Sequence, residues 1–330
     1  MAITAQSQKL IAPWSLCSCV AFLFACGLSG YAQSSPAPPA PPAAPTIAVN
    51  ADLVLLPVRV TDARGEFVSG LSAEDFRVYE DGRRQRITLF QQEDTPVSVG
   101  LIVDHSRSMG PKLSNVSAAI IAFAQSSNPR DEMFVVDFND SVSLDLPDGK
   151  PFTHDAAELA RAISAVSARG RTALYDAVNE GLEHLQLAHE DKKALIIVSD
   201  GGDNASQHTY EEVLALARRS QTIIYSIGLL GDSEEEEDPK VLRRLCDDTG
   251  GIAFFPDASQ PVRNVSDRIA RDLREQYTLG FAPNEGPADN SHTFRKIDVK
   301  ISAPGRGKIR VQTRRGYLPE KSIDTGKPVS

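Results

Sequence analysis

The sequence predicts a doubly wound α/β domain with a small β module beside it, and three observations carry that prediction. Apolar, β-branched or aromatic runs of strand length recur at residues 99–103, 133–138, 194–198, 222–227 and 252–255. Segments with apolar residues at three- and four-residue spacing lie at 113–124, 156–166, 174–187 and 210–219, the spacing of an amphipathic helix. The two kinds alternate along the chain, which implies a parallel sheet with helices on both faces.

Composition sets the outer limits. At 330 residues the chain has room for roughly two domains. Hydrophobic residues make up 41% and charged residues 24%, near the averages of soluble proteins, which excludes a collagenous, wholly disordered or multi-spanning chain. Thirty-five Lys and Arg against 44 Asp and Glu give a formal net charge of −9. Such a charge repels a phosphate backbone and argues against nucleic acid as a partner.

From the amino terminus, Lys9 precedes an uncharged, mostly apolar run over residues 10–28, and Gly30 and Ala32 flank Tyr31 in the pattern of a signal peptidase site. Residues 1–32 are expected to be a signal peptide, and the protein to be exported to the periplasm, the cell surface or the medium. Two other readings stay open. One is an uncleaved anchor, although Pro13, Ser15 and Ser18 interrupt a run already marginal for about 30 Å of hydrocarbon. The other is lipidation at Cys26, because Leu23, Phe24, Ala25, Cys26 and Gly27 resemble a bacterial lipobox apart from the bulky Phe24. Either way, membrane attachment would run through the N-terminus only. Cys17, Cys19 and Cys26 all lie in this segment and cannot form a folded disulfide framework. Cys246 is left, and it reads as a buried small residue rather than a nucleophile. Residues 33–46, rich in Pro and Ala, form a semi-rigid spacer.

Residues 47–95 read as a β module. Val54, Leu56, Val58 and Val60 alternate with residues of the other face, Phe76 and Val78 follow, and Asp81-Gly82 is a strong two-residue hairpin signal. Thr95-Pro96 ends the module. The α/β domain then spans 96–283, with Pro239 in the first turn of a helix reaching about residue 248 and a last helix over 260–275. Two strand-like runs at 296–301 and 308–313 are expected to pair as a hairpin within 284–318, packing on the early β module, and residues 319–330 form a disordered tail.

The chemistry gathers where strands end. The run 99–103 leads into Asp104-His105-Ser106-Arg107-Ser108, a strand-to-helix turn at the carboxyl edge where doubly wound sheets bind ligands. Asp104, Ser106 and Ser108 can direct a carboxylate and two hydroxyls at one point. Thr172 before a helix and Asp200 after a strand should reach the same rim. Five oxygen-bearing side chains without sulfur or imidazole suit a hard, six-coordinate cation such as Mg²⁺, at about 2.0–2.1 Å. With neutral hydroxyls among the ligands the cation stays electron-poor, so a carboxylate from outside is a favoured further ligand. A competing reading is that Asp104 and the serines merely cap the following helix, which leaves Thr172 and Asp200 unexplained.

These segments resemble a known family. Asp104-x-Ser106-x-Ser108, Thr172 within G-R-T-A-L-Y-D-A and Asp200 within V-S-D-G-G-D-N are similar to the metal-ion-dependent adhesion site of von Willebrand factor type A domains. The likeness covers about residues 97–281. The flanks L-V-L-L-P-V-R-V-T-D, L-S-A-E-D-F-R-V-Y-E-D-G, Y-T-L-G-F and R-R-G-Y resemble a bacterial subfamily of VWFA-related secreted proteins. The resemblance implies a Rossmann-like fold, a bound Mg²⁺, Mn²⁺ or Ca²⁺, and protein–protein adhesion rather than catalysis. Its expected partner presents an Asp or Glu, with Arg107, Arg171 and Asn204 supplying polar contacts around it. Arg107 departs from the family pattern, which has Gly there, and its guanidinium should swing outward from a dication. His105 reads as a variable position beside the site. Two alternatives remain: a metal-assisted hydrolase, for which no base stands at useful spacing, and a structural envelope protein with a vestigial site, which Arg107 favours.

Overall fold

A computed structural model describes residues 53–92, 94–146, 149–231, 237–257, 260–283 and 293–319. The expected signal peptide, the spacer and the tail beyond residue 319 lie outside the described residues.

The centre is a six-stranded sheet. Its strands are β5 (Val97–Asp104), β6 (Glu132–Phe138), β7 (Val142–Leu144), β8 (Lys192–Ser199), β9 (Ile223–Gly228) and β10 (Ala253–Phe254), in the order β10-β9-β8-β5-β6-β7. The first five in this order are parallel, and β7 returns antiparallel along the outside of β6. All of β5, β6 and β9 is buried. This is why they read as unbroken apolar runs: both faces of a parallel sheet are covered by helices. Edge strand β7 is three residues long and largely exposed, so it carries no such run and no sequence signal.

Helices α1 (Leu113–Ser126), α2 (Ala156–Ser164) and α6 (Val262–Glu275) pack together, and α3 (Leu174–His184), α4 (Tyr210–Arg219) and α5 (Pro239–Thr249) form a second group. Local chemistry sets their ends. Thr209 and Glu212 make a reciprocal capping box at the start of α4. Pro239 opens α5 behind Asp238, whose side chain accepts from Lys240 N at 3.0 Å. Gly250, at φ 90°, closes that helix in the left-handed region.

The remaining strands form two antiparallel sheets. Strand β1 (Val54–Thr61) pairs with β11 (Tyr277–Phe281) and with β13 (Arg310–Gln312), while β4 (Leu89–Gln91) lies outside β11. Strand β2 (Phe76–Glu80) pairs with β3 (Arg83–Gln85) and with β12 (Arg295–Ile301), and β14 (Gly316–Tyr317) lies outside β12. The Asp81-Gly82 hairpin is present, with φ of 47° and 78° at its two central residues, as a type I′ turn requires. Val54, Leu56, Val58, Phe76, Val78, Tyr277, Leu279, Phe281, Ile297 and Val299 share a core separate from that of the central sheet.

Two expectations are corrected here. The runs at 296–301 and 308–313 do not pair with each other. Instead β12 adds to β2 and β13 adds to β1, because each early strand has an open edge, and the buried faces of Ile297 and Val299 complete the core around Phe76 and Val78. Also, β11 belongs to the β module and not to the α/β domain, which therefore ends with α6. The flanking motifs are partners in space. Y-T-L-G-F lies along L-V-L-L-P-V, and in R-R-G-Y the Tyr317 hydroxyl donates to Glu80 at 2.5 Å.

The β module meets the α/β domain at the amino ends of its strands. Leu55 N donates to Gln221 Oε1 at 2.9 Å just before β9, Gln312 Nε2 donates to Gly251 O at 2.7 Å just before β10, and Arg59 pairs with Asp272 at 3.0 Å near the end of α6. These attachments leave the opposite, carboxyl edge of the sheet to the loops that carry the candidate site.

Candidate metal centre

Asp104 is the last residue of β5 and is fully buried. Parallel β8 runs alongside with Val103 opposite Val198, which brings Ser199 next to Asp104. Ser199 Oγ donates to Asp104 Oδ2 at 2.7 Å and accepts from Gly201 N at 3.0 Å. Ser106 N donates to Asp104 Oδ1 at 2.8 Å, an Asx turn that folds the chain over the end of its own strand. The turn keeps Ser106 inside, 1% exposed. Ser106 Oγ lies 3.2 Å from Ser108 Oγ, and Ser108 Oγ donates to Asp200 Oδ2 at 2.8 Å. Asp104, Ser106, Ser108 and Asp200 are therefore joined in one short chain of hydrogen bonds.

Helix capping does not account for these side chains. Ser106 stands at the N-cap of the 3-10 turn Arg107–Lys112, and neither it nor Lys112 at the N-cap of α1 makes a side-chain capping bond.

Thr172, 6% exposed, arrives on the loop between α2 and α3. Backbone bonds tie that loop to the Asp104 turn: Arg107 N donates to Gly170 O at 3.3 Å, and Arg169 N to His105 O at 2.9 Å. From the other side, Asn204 Oδ1 accepts from Thr172 N at 2.9 Å, while Asn204 N and Ala205 N donate to Thr172 O at 2.9 and 3.1 Å. Gly170 makes the approach feasible. Its φ is 75°, and a Cβ there would stand 1.9 Å from Asp140 Oδ2, so a larger residue would be strained and would push Asp140 away.

Burial pushes the Asp104 carboxyl up to about 6, against the hydrogen bonds from Ser106 and Ser199 that favour its charged form; the charge of Asp200 adds to the rise. A carboxylate held from water in this way is stabilised by a cation placed against it. The donor set is all oxygen, with two carboxylates and three hydroxyls, and it fits a hard divalent cation such as Mg²⁺, Mn²⁺ or Ca²⁺.

The three residues expected to meet a partner lie on one exposed surface around the Thr172 loop. Arg107 is exposed, and its charge helps hold the Asp140 carboxyl below its usual range, behind the larger effect of the bonds from Arg171. Arg171 is tied down: its N and Nε donate to Asp140 Oδ1 at 3.0 and 3.2 Å, and its Nη1 to Asn204 O at 3.4 Å. The Asn204 side-chain oxygen is occupied by Thr172 N, so this residue shapes the loop as well as lining the rim.

Sequence reasoning missed three participants. His105, expected as a variable position beside the site, is buried at 1% exposed, with Nδ1 2.7 Å from Asp137 Oδ1. The parallel register sets Val103 beside Asp137, a proximity that no spacing in the sequence announces. Burial pushes the Asp137 carboxyl up to about 7 despite the histidine. Ser199 lies within V-S-D-G-G-D-N, but its bond to Asp104 depends on the β5–β8 pairing. Lys112 reaches back over the turn, with Nζ 3.5 Å from Asp200 Oδ2 and 3.3 Å from Glu237 Oε1.

Fold and site together define a doubly wound α/β domain with an oxygen-lined cluster at the carboxyl edge of its sheet. The family model described as the von Willebrand factor type A domain matches residues 98–268, more than half of the 330 residues, and the chain belongs to that family. Among solved structures, a von Willebrand factor type A protein from Catenulispora acidiphila is similar over 76% of this chain and 75% of its own, at 12% identity and a TM-score of 0.50. The pilus adhesin SpaC from Lactobacillus rhamnosus GG is similar over 78% of this chain and 49% of its own, at 11% identity and a TM-score of 0.45. The vWF domain of the type V pili tip protein Mfa5 from Porphyromonas gingivalis is similar over 55% of this chain and 95% of its own, at 14% identity and a TM-score of 0.45. At 12% identity the likeness to the Catenulispora acidiphila protein is one of fold. No curated protein matches the chain.

Proposed function

We propose that this protein is an extracytoplasmic binding module that holds a divalent cation, Mg²⁺ foremost, through Asp104, Ser106, Ser108, Thr172 and Asp200 and uses it to capture an Asp or Glu carboxylate of a partner protein. The observation that carries this reading is the hydrogen-bonded chain from buried Asp104 through Ser106 and Ser108 to Asp200, with the Thr172 loop tied to it by backbone bonds. When bound, the cation would supply an electron-poor coordination position for an external carboxylate.

The chain's own residues do the rest. Asp104 supplies buried negative charge, oriented by Ser199 and by Ser106 N. The hydroxyls of Ser106, Ser108 and Thr172 are neutral donors, which leaves most of the cation's charge for the partner. Arg107 and Arg171 offer charge-assisted contacts at the rim, worth roughly 1.5–3 kcal/mol each where desolvated and much less where solvent screens them. Binding is favoured over catalysis because the side chains gathered here are cation ligands, and the nearest imidazole, His105, is buried against Asp137. Export is the matching location, from the signal-peptide pattern ending at Ala32.

The test is a calorimetric titration of Mg²⁺ or Mn²⁺ into the purified protein. One site is expected, and it should vanish in Asp104→Ala. Unfolding stability should rise by about 2.7 kcal/mol at a hundredfold excess over Kd. No binding by the unmutated protein overturns the reading. Hydrolase activity that needs Mg²⁺ and disappears with Asp104→Ala would replace it with the metal-assisted hydrolase.

A further inference from the structure

The surroundings of Lys112 go beyond a ligand set. Its side chain is 15% exposed and its ammonium lies between two shielded carboxylates, Asp200 at 3.5 Å and Glu237 at 3.3 Å, whose side chains are 1% and 9% exposed. Glu237 comes from the segment between β9 and α5, and Gly231 N of the same segment donates to its Oε1. A Cβ on Gly231 would stand 3.2 Å from Lys112 Cε and 3.3 Å from Nζ, so backbone closes over the lysine from that side. The proline before it, Pro111, lies in the 3-10 turn, whose backbone sets where the lysine starts.

Asp200 Oδ2 is also the atom that accepts from Ser108. One carboxylate oxygen thus serves the hydroxyl chain and the lysine together. A divalent cation held at Asp200 and Ser108 would meet a tethered positive charge against the same oxygen. Two like charges that close, with little water between them, repel strongly. The lysine has a second carboxylate in reach and a flexible stem, so it can shift its weight from Asp200 to Glu237 without leaving the pocket.

We propose that Lys112 is a built-in competitor of the cation: its ammonium neutralises Asp200 when the site is empty of metal, and Glu237 receives it when metal binds. This rests on the cation reading above and adds what sets the affinity of that site. Glu237 then acts as a positioning residue, since its influence on the cation runs partly through the lysine.

The experiment is calorimetric titration of Mn²⁺ into the full chain as wild type, Lys112→Met, Glu237→Gln and the double variant, at pH 7.5 and fixed salt, with a thermal melt to confirm folding. Lys112→Met should bind Mn²⁺ at least tenfold more tightly than wild type, and Glu237→Gln should bind it more weakly. The weakening by Glu237→Gln should be several-fold larger with Lys112 present than in the Lys112→Met background, because only then does it drive the ammonium back onto Asp200. If Lys112→Met fails to fold, Lys112→Gln replaces it with the same expectation. Equal affinity of wild type and Lys112→Met overturns the proposal and leaves the cation reading standing. Absence of Mn²⁺ binding in all four proteins overturns both.

Discussion

Ser199 Oγ donates a 2.7 Å hydrogen bond to Asp104 Oδ2, joining the ends of two parallel strands whose residues stand 95 apart in sequence. The same hydroxyl oxygen accepts from Gly201 N at 3.0 Å, so it holds both the aspartate and the turn that follows β8. Asp104 meets the protein through Ser106 N on one oxygen and Ser199 on the other, a grip that orients the carboxylate before any ligand arrives.

Ser199→Ala is expected to leave a buried carboxylate oxygen and a buried amide without partners, at a cost of about 1–3 kcal/mol. Urea denaturation measures it. Cation affinity should fall at the same time, because Asp104 loses half of its orientation. A variant as stable as wild type would mean that water or a neighbouring donor takes over the bond.

Arg107→Gly is expected to change stability by no more than about 0.5 kcal/mol, as for other exposed positions. Cation affinity should stay the same or rise, since Arg107 stands at the surface and its charge acts on Asp140. Partner affinity alone should drop. Melting curves, metal titration and partner binding on the one variant separate the three, and a loss of metal affinity would contradict an outward arginine.

Asp131 allows a pH test away from the candidate site. It is 4% exposed and accepts from Val97 N at 2.9 Å and Asn128 N at 3.0 Å, yet burial pushes its carboxyl up to about 6 in spite of those bonds. The folded state therefore holds this proton more tightly than the unfolded chain, whose carboxyl titrates near about 3.9. Its contribution to stability is fully present below that value and is lost as pH rises through about 6. The stability difference between wild type and Asp131→Asn should shrink from pH 4 to pH 7, by no more than about 3 kcal/mol. A difference that grows over this range would contradict the assignment.

Cys246 is fully buried in α5, with Sγ 3.4 Å from Ser226 Oγ, and burial raises its thiol to about 12. Thiolate is the reactive form. Iodoacetamide at pH 8 should leave Cys246 unlabelled in the native protein and label it after denaturation, read by peptide mass. Native labelling at a rate near that of a free thiol would show that this part of α5 opens readily.

Much of the site was legible in the sequence because its chemistry is local. The Asx turn that binds Asp104 to Ser106 spans two residues, and alternate positions place Ser106 and Ser108 together whatever surrounds them. The same holds for the Asp81-Gly82 hairpin, the Pro239 helix start and the buried runs of β5, β6, β8 and β9, each set by backbone preferences or by which faces must leave water. Tertiary structure decided the rest. Ser199 faces Asp104, and His105 meets Asp137, only because parallel strands pair in one register, and register depends on contacts between segments many residues apart. Likewise β12 and β13 join β2 and β1 instead of each other: two nearby strands carry the signature of a hairpin, but the open edges and the shared core they complete exist only once the whole chain has folded.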